Sequence, residues 1–289
     1  TYYYNSWNEG GWGNKKKVRE YITTNETDLE QGTINIGGNF ITRSEGDTNI
    51  IGTQLNIAEN AFMNSAGALN ILAAQETWSQ DYLKTKGGSS TGGKSSNAVN
   101  ALNSTNLASG INAGNSIVFQ SDTNVTLFGS NLEADNIYAY AKDSILFLAS
   151  QDSSTSSSAS KGSTLTGKNG NGSANTDITR SDTSIISNGD IILESGAKTI
   201  LSGVDVDATN LYIDATEGVY ATAVEDIHDH SKYSFSSSLG IFNEKSTQQQ
   251  FSLTNQVTEI DTKGMLKIES GTDIVLEGTK VNVGGNAEL

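Results

Sequence analysis

The 289-residue chain has no cysteine and no proline. Without cysteine there is no disulfide scaffold and no thiolate chemistry, a composition compatible with export through an oxidising compartment, where an unpaired thiol is a hazard. Without proline every backbone amide can donate to a ladder, as a fold whose strands each have two neighbours requires. Apolar residues are also sparse, at 35% with 18% charged, which is lean for a globule around one central core. That leaves disorder, or an elongated fold with a thin core along its length. No apolar run approaches the roughly 18 residues of a membrane helix, and the first residues lack a signal-peptide pattern. Basic residues are few: 18 Lys and Arg against 33 Asp and Glu give a net charge of −15. Over the whole chain that balance opposes phosphate backbones, so no nucleic-acid partner is expected. Lys15-Lys16-Lys17 reads as a solvated loop.

What the chain has is repetition. Short apolar, β-rich runs such as Ile117-Val118-Phe119, Ile145-Leu146-Phe147-Leu148 and Ile191-Ile192-Leu193 recur throughout and argue against disorder. Repeats of this kind take precedence over other signals. Ile51-Gly52-Thr53-Gln54-Leu55 is echoed by Phe128-Gly129-Ser130-Asn131-Leu132, Gly203-Val204-Asp205-Val206 and Gly278-Thr279-Lys280-Val281. The glycines stand at positions 52, 129, 203 and 278, an almost even interval. A shorter period runs inside the long one. Asp190-Ile191-Ile192-Leu193 comes back as Asn210-Leu211-Tyr212-Ile213, and Asn124-Val125-Thr126-Leu127 as Ser144-Ile145-Leu146-Phe147. Lys198-Thr199-Ile200-Leu201 maps onto Gly218-Val219-Tyr220-Ala221 at the same spacing, and Asn115-Ser116-Ile117-Val118 onto Asn136-Ile137-Tyr138-Ala139 at a spacing one position longer.

A coil of about 20 residues holds two or three short strands with Gly, Asn, Asp or Ser corners, and stacks on the next at about 4.8 Å. Alternation sends Ile, Val, Leu and Phe inward and Thr, Ser, Asn and Asp outward. Roughly seven coils make a rod about 35 Å long. The expected fold is therefore all-β, a single parallel β-helix over residues 1–289 cut from a longer protein, with abrupt ends at Thr1 and Val283-Gly284-Gly285. Its units run over about 34–111, 112–184, 185–260 and 261–289. Handedness follows from the general chirality of crossovers, not from the spacing.

Each unit ends in an insert, at about 77–111, 152–184 and 225–260, with 1–33 as a further one. Tyr2 to Trp7, a turn at Asn8-Glu9-Gly10-Gly11, and Val18 to Ile22 read as a hairpin. Tyr233, Phe235 and Ser237, a turn marked by Gly240 and Asn243-Glu244, and Phe251, Leu253 and Val257 read as another. Both are expected to protrude from the rod or lie along it. The Ser/Gly/Lys-rich stretch from Ser153 to Ser173 predicts a mobile loop, and Asn97 to Leu107 a short helical turn.

The run Gly129-Ser130-Asn131-Leu132-Glu133-Ala134-Asp135-Asn136-Ile137, then Lys142 to Asp152, then a Ser-rich tract, resembles the filamentous haemagglutinin family of two-partner-secreted exoproteins. That family includes the contact-dependent growth inhibition effectors. Gly52 to Gln75, Gly203 to Glu225 and the tract Tyr233 to Gly240 follow the same plan, so the likeness covers essentially the whole chain. It implies a right-handed β-helix, export through an outer-membrane partner transporter, and display as a filament on a Gram-negative cell surface, as a shaft holding adhesive or toxic cargo. A target-cell surface protein, a glycan or the outer membrane are the further partners it brings.

No cofactor is expected, and no enzyme. Asp226, His228 and His230 share one strand face and are the metal candidates, since such residues can open a Zn²⁺ site; the plainer reading is a solvated hairpin root. Asp205, Asp207 and Asp214 are outward carboxylates of the kind polysaccharide-cleaving β-helices use, but repetition supplies no asymmetric constellation. Tyr2, Tyr3, Tyr4, Trp7, Trp12 and Trp78 fall in inserts, where they either pack the inserts or touch a partner. The rival to a shaft is thus an adhesive module that binds a receptor or glycan through these aromatics.

Overall fold

A computed structural model of the chain describes residues 1–10, 15–88, 93–238 and 242–289; among these it is all-β, without an α-helix. Three short strands make each turn of the chain. The first turn is Gly32–Ile36, Phe40–Ser44 and Thr48–Ile51; the second is Thr53–Ile57, Ala61–Ser65 and Leu69–Leu72. Each strand pairs in parallel with its counterpart one turn on, so that Leu55 lies opposite Ile34, Met63 opposite Thr42, and Ile71 opposite Ile50. Continued along the chain, this coiling gives parallel sheets of eight, eight and seven strands, as in a β-solenoid.

The register turns the sequence pattern into columns. Leu55, Ile111, Leu132, Ile185, Val206 and Ile260 stack in the first sheet, and Ala61, Ile117, Ile137, Ile191, Leu211 and Leu266 in the second; all are buried. Burying each large aliphatic side chain stabilises by about 1.5–3 kcal/mol, and the column repeats that gain at every turn. Size alternates as well: Ala139 stacks on Phe119, leaving room for the larger ring. One expected alignment shifts by a single position. Ser116 pairs with Asn136 and Ile117 with Ile137, not with Tyr138. The longer step would set Tyr138 beside Ile117 and turn the whole strand inside out.

Not every serine and threonine faces out. Ser65, Ser121 and Ser187 are buried at corners, where their hydroxyls donate to the carbonyls of Gly46, Gly67 and Asp135. A corner carbonyl turned inward has no ladder partner, and a short hydroxyl side chain satisfies it without adding bulk.

The glycines of the long period are corners too. Gly52, Gly129, Gly203 and Gly278 have φ of 56°, 54°, 63° and 58°, the left-handed region. Each joins the third strand of one turn directly to the first strand of the next. At the alternate corners stand Ala73, Ala149 and Ala223, and there the chain leaves the coil. The two kinds stack: the amide of Ala73 donates to Phe128 O and that of Gly129 to Leu148 O, while a Cβ on Gly203 would sit 2.8 Å from that of Ala149.

From each alanine corner a pair of long strands departs and comes back: Ala74–Gly87 with Lys94–Leu107, Ser150–Ser163 with Gly167–Ser181, and Val224–Ser238 with Phe242–Gln256. Tyr2–Glu9 and Lys16–Thr27 form a fourth pair. All eight strands join edge to edge in one antiparallel sheet. Three local expectations are corrected here. Residues 97–107 are strand, not helix, and the Ser-rich stretch 153–173 lies largely in two strands rather than in a mobile loop. Asn8 and Glu9, and likewise Asn243 and Glu244, pair within strands and so do not form turns; Gly11 and Gly240 fall outside the described residues. Flanking strands supply the hydrogen bonds that decide each case, outweighing the weak β-propensity of Ser, Gly and Asn.

Candidate functional site

The arm sheet carries most of the residues singled out in the sequence. Both its faces are partly exposed, and its register assigns side chains to them. The four aromatic residues at the chain start divide between the faces. Tyr2 and Tyr4 lie on one face, 67% and 47% exposed, and the Tyr4 and Tyr21 rings pack at 4.8 Å between centroids. Tyr3, 47% exposed, and Trp7 lie on the other. Trp7 is half-buried there: its indole N–H donates to Glu9 Oε1 at 3.1 Å, and Lys84 Nζ sits 5.0 Å above its ring. Trp78 is half-buried near the base of the sheet, and Trp12 lies outside the described residues.

Asp226, His228 and His230 do share one face of the strand Val224–Ser238. The neighbouring arm adds a residue that no local pattern flagged. Asp177 lies directly opposite His228, with Oδ1 at 2.9 Å from His228 Nδ1 and 3.4 Å from His230 Nε2. Asp226 turns away and accepts the backbone N–H of Arg180 at 2.6 Å. Among the described residues no three or more His, Cys, Asp or Glu side chains come close enough to hold a metal ion.

The outward carboxylates of the coil form like-charged ladders. Asp205 lies opposite Glu259, Asp207 opposite Asp261, and Asp214 between Glu194 and Glu269. Burial raises the Asp205 carboxyl above its ordinary range, and Glu259, Asp182, Asp261 and Asp207 add to the rise. Lys280 relieves part of this crowding through its ion pair with Glu259.

Charge on the arm sheet is sorted by face. On the face of Trp7, Lys86 pairs with Glu9 at 2.6 Å and Lys84 with Glu20 at 3.5 Å. The Lys86 hydrogen bond, then that of Trp7, holds the Glu9 carboxyl below the usual range. Burial, with the hydrogen bond to Glu20, raises the Tyr82 phenol. The opposite face is different. Lys17, Lys94 and Lys168 fall in one row near the arm tips, and Arg19, Lys161 and Lys245 in the next. None of these six forms an ion pair among the described residues. A groove of about 550 Å³ runs between five of them, all but Lys245, with Phe235 also lining it, its ring lying over Gly170. The net charge of the chain hid this surface; of the lysine run at 15–17, expected as a loop, Lys16 and Lys17 begin a strand, and Lys17 belongs to this face.

A family model described as Hemagglutinin repeat matches residues 13–162 and again residues 90–238. The offset between the two matches is close to the long period of the sequence, and each match covers about two units. No curated protein and no solved structure matches the chain.

Proposed function

The chain belongs to the hemagglutinin repeat family, and from that premise we propose that it is a shaft segment of a secreted filamentous exoprotein. In this reading the coil is a right-handed parallel β-helix, the paired arms stand out from it as hairpins, and its task is reach. It is exported across the outer membrane of a Gram-negative cell by a two-partner-secretion transporter and stays at the cell surface, holding adhesive or toxic cargo away from it. The observation that carries the proposal is the unbroken stack of aliphatic columns, to which each unit of the long period adds two turns without changing the cross-section. A fold that grows by copying gains length at constant width.

The chain has no catalytic task in this reading. Its carboxylates repeat as ladders along the coil, whereas an enzyme needs one asymmetric site in which acid, base and substrate groove converge. A second reading, adhesion through the arms, draws on the exposure of Tyr2, Tyr3 and Tyr4.

Length is the test. A version carrying a second copy of residues 109–182 gains two turns and one arm, so small-angle scattering and electron microscopy should show a rod about 10 Å longer at unchanged width. An increase in all three dimensions would sink the shaft. Binding of the intact chain to target cells that vanishes on substituting Tyr2, Tyr3 and Tyr4 by serine would favour the adhesive reading instead.

A further inference from the structure

The whole-chain charge of −15 hides a strong segregation. The described outer parts of the four arms, residues 5–10, 15–20, 84–88, 93–97, 160–171, 234–238 and 242–246, hold ten of the 18 Lys and Arg and only three of the 33 Asp and Glu: Glu9, Glu20 and Glu244. Those ends therefore carry +7, and the remainder of the chain −22. The segments 11–14, 89–92 and 239–241 contain no carboxylate that could neutralise them.

Like charges left unpaired on one surface repel each other and must be offset elsewhere; six cations gathered on one face without partners are poised for an anion from outside. They lie in two adjacent rows about 7 Å apart, over strands from Lys16–Thr27 to Phe242–Gln256, a band about 30 Å wide at 4.8 Å per strand. At the tip of the third arm, Leu165 is 85% exposed, an apolar side chain at the outermost point of a cationic edge. The arms also set a distance. The 14 residues of Ser150–Ser163 span about 45 Å, so the acidic coil stays several Debye lengths from whatever the tips touch.

We propose that the cationic ends of the arms dock on an anionic phospholipid bilayer, with Lys17, Arg19, Lys94, Lys161, Lys168 and Lys245 on the lipid phosphates and Leu165 entering the headgroup layer. Lysine and arginine stems lie along apolar material while their heads stay at the phosphate level, and cations near an anionic leaflet add binding one by one. The inference goes beyond the shaft reading and holds whatever cargo the rod carries.

The test is co-sedimentation of the full chain with vesicles of phosphatidylcholine alone or with about one third phosphatidylglycerol, at about 0.15 M and about 0.5 M salt. Binding is expected only to the anionic vesicles and should weaken at the higher salt. The combined variant Lys94→Gln, Lys161→Gln and Lys168→Gln should bind about 100-fold more weakly, near fivefold per cation. Leu165→Ser should lose several-fold, and Lys263→Gln with Lys267→Gln, on the coil, should bind as the parent does. All of these residues but the half-buried Lys267 are exposed, so an unchanged thermal transition is expected for each arm variant. Equal binding to both vesicle types, no binding to either, or an unaffected triple variant would each overturn the proposal. So would tip-dependent binding of a heparin oligosaccharide or polyphosphate by a chain that ignores the vesicles, since the partner would then be a linear polyanion.

Discussion

At the scale of the residue, backbone conformation and buried hydroxyls decide how the corners are built. Gly129 combines a φ of 54° with a corner so tight that a Cβ would sit 2.3 Å from that of Ser150. Gly129→Ala should therefore cost about 2 kcal/mol in a urea unfolding series, whereas Gly37→Ala, with open space around it, should fall within about 0.5 kcal/mol of the parent. Thr183 is fully buried where the third arm rejoins the coil, and its hydroxyl donates to Leu148 O at 2.6 Å, the carbonyl just before the chain leaves. Ser109 and Thr258 do the same for Leu72 O and Thr222 O. Thr183→Val should cost about 1–2 kcal/mol and Thr183→Ser much less, because serine keeps the donor. Asp205 offers a pH test. Its carboxyl is raised in the folded state, so ionising it opposes folding, and that penalty is relieved as pH falls from the raised value toward the unfolded one. Asp205→Asn should accordingly raise the melting temperature at pH 7, with the gain shrinking to nothing below about pH 4; a gain that persists in acid would mean that packing, not charge, is at work.

At the scale of the element, the coil and the arms differ in what holds them. Coil strands are four to six residues long and live on buried columns; the arm strands of 12–15 residues inside the sheet live on pairing with one another. The corner column explains how the two coexist. Where a left-handed glycine stands, the chain turns into the next coil; where alanine stands, it departs. Excising residues 150–182 together with Ala149→Gly creates the junction Leu148-Gly-Thr183, which copies Phe128-Gly129-Ser130. The shortened chain should keep its coil and lose the middle of the arm sheet. Hydrogen exchange should then show protection retained at Ile137 and Ile191 and lost at those amides of Lys94–Leu107 that donate to Ser150–Ser163, while those donating to Ala74–Gly87 stay protected. Loss of protection at Ile137 as well would mean that the arms hold the coil together.

At the scale of the whole molecule, a solenoid has only nearest neighbours, so damage should stay local. Phe147 is fully buried, and Phe147→Ala should cost about 3–5 kcal/mol in its own turn. Amide exchange should accelerate around Val125–Phe128, Ile145–Leu148 and Lys198–Ser202, while Leu266–Ser270 remains as slow as in the parent. Uniform acceleration along the chain would show a single cooperative unit instead. The same one-dimensional plan gives the molecule its polarity of charge. Arms leave on one side of the coil only, at alternate corners, and their tips gather more than half of the cations and few of the carboxylates.

Period, strand content and the inward columns were legible in the sequence because each depends on spacing alone: evenly placed glycines at 52, 129, 203 and 278, aliphatic runs at a shorter regular interval, no proline to interrupt them. The serine-rich arm was not legible, because Ser150–Ser163 becomes strand only through the partners on either side of it. Nor was the pairing of Ile117 with Ile137, which the stacking of one turn on the next decides, nor that of Asp177 with His228, far along the chain, which only the joining of two arms brings about. The basic surface had the least trace of all. Its cations come from four arms, one or a few from each, and no stretch of sequence contains the array. Local order can be written into neighbouring residues, but a surface assembled edge to edge from strands distant in sequence exists only once the sheet has closed.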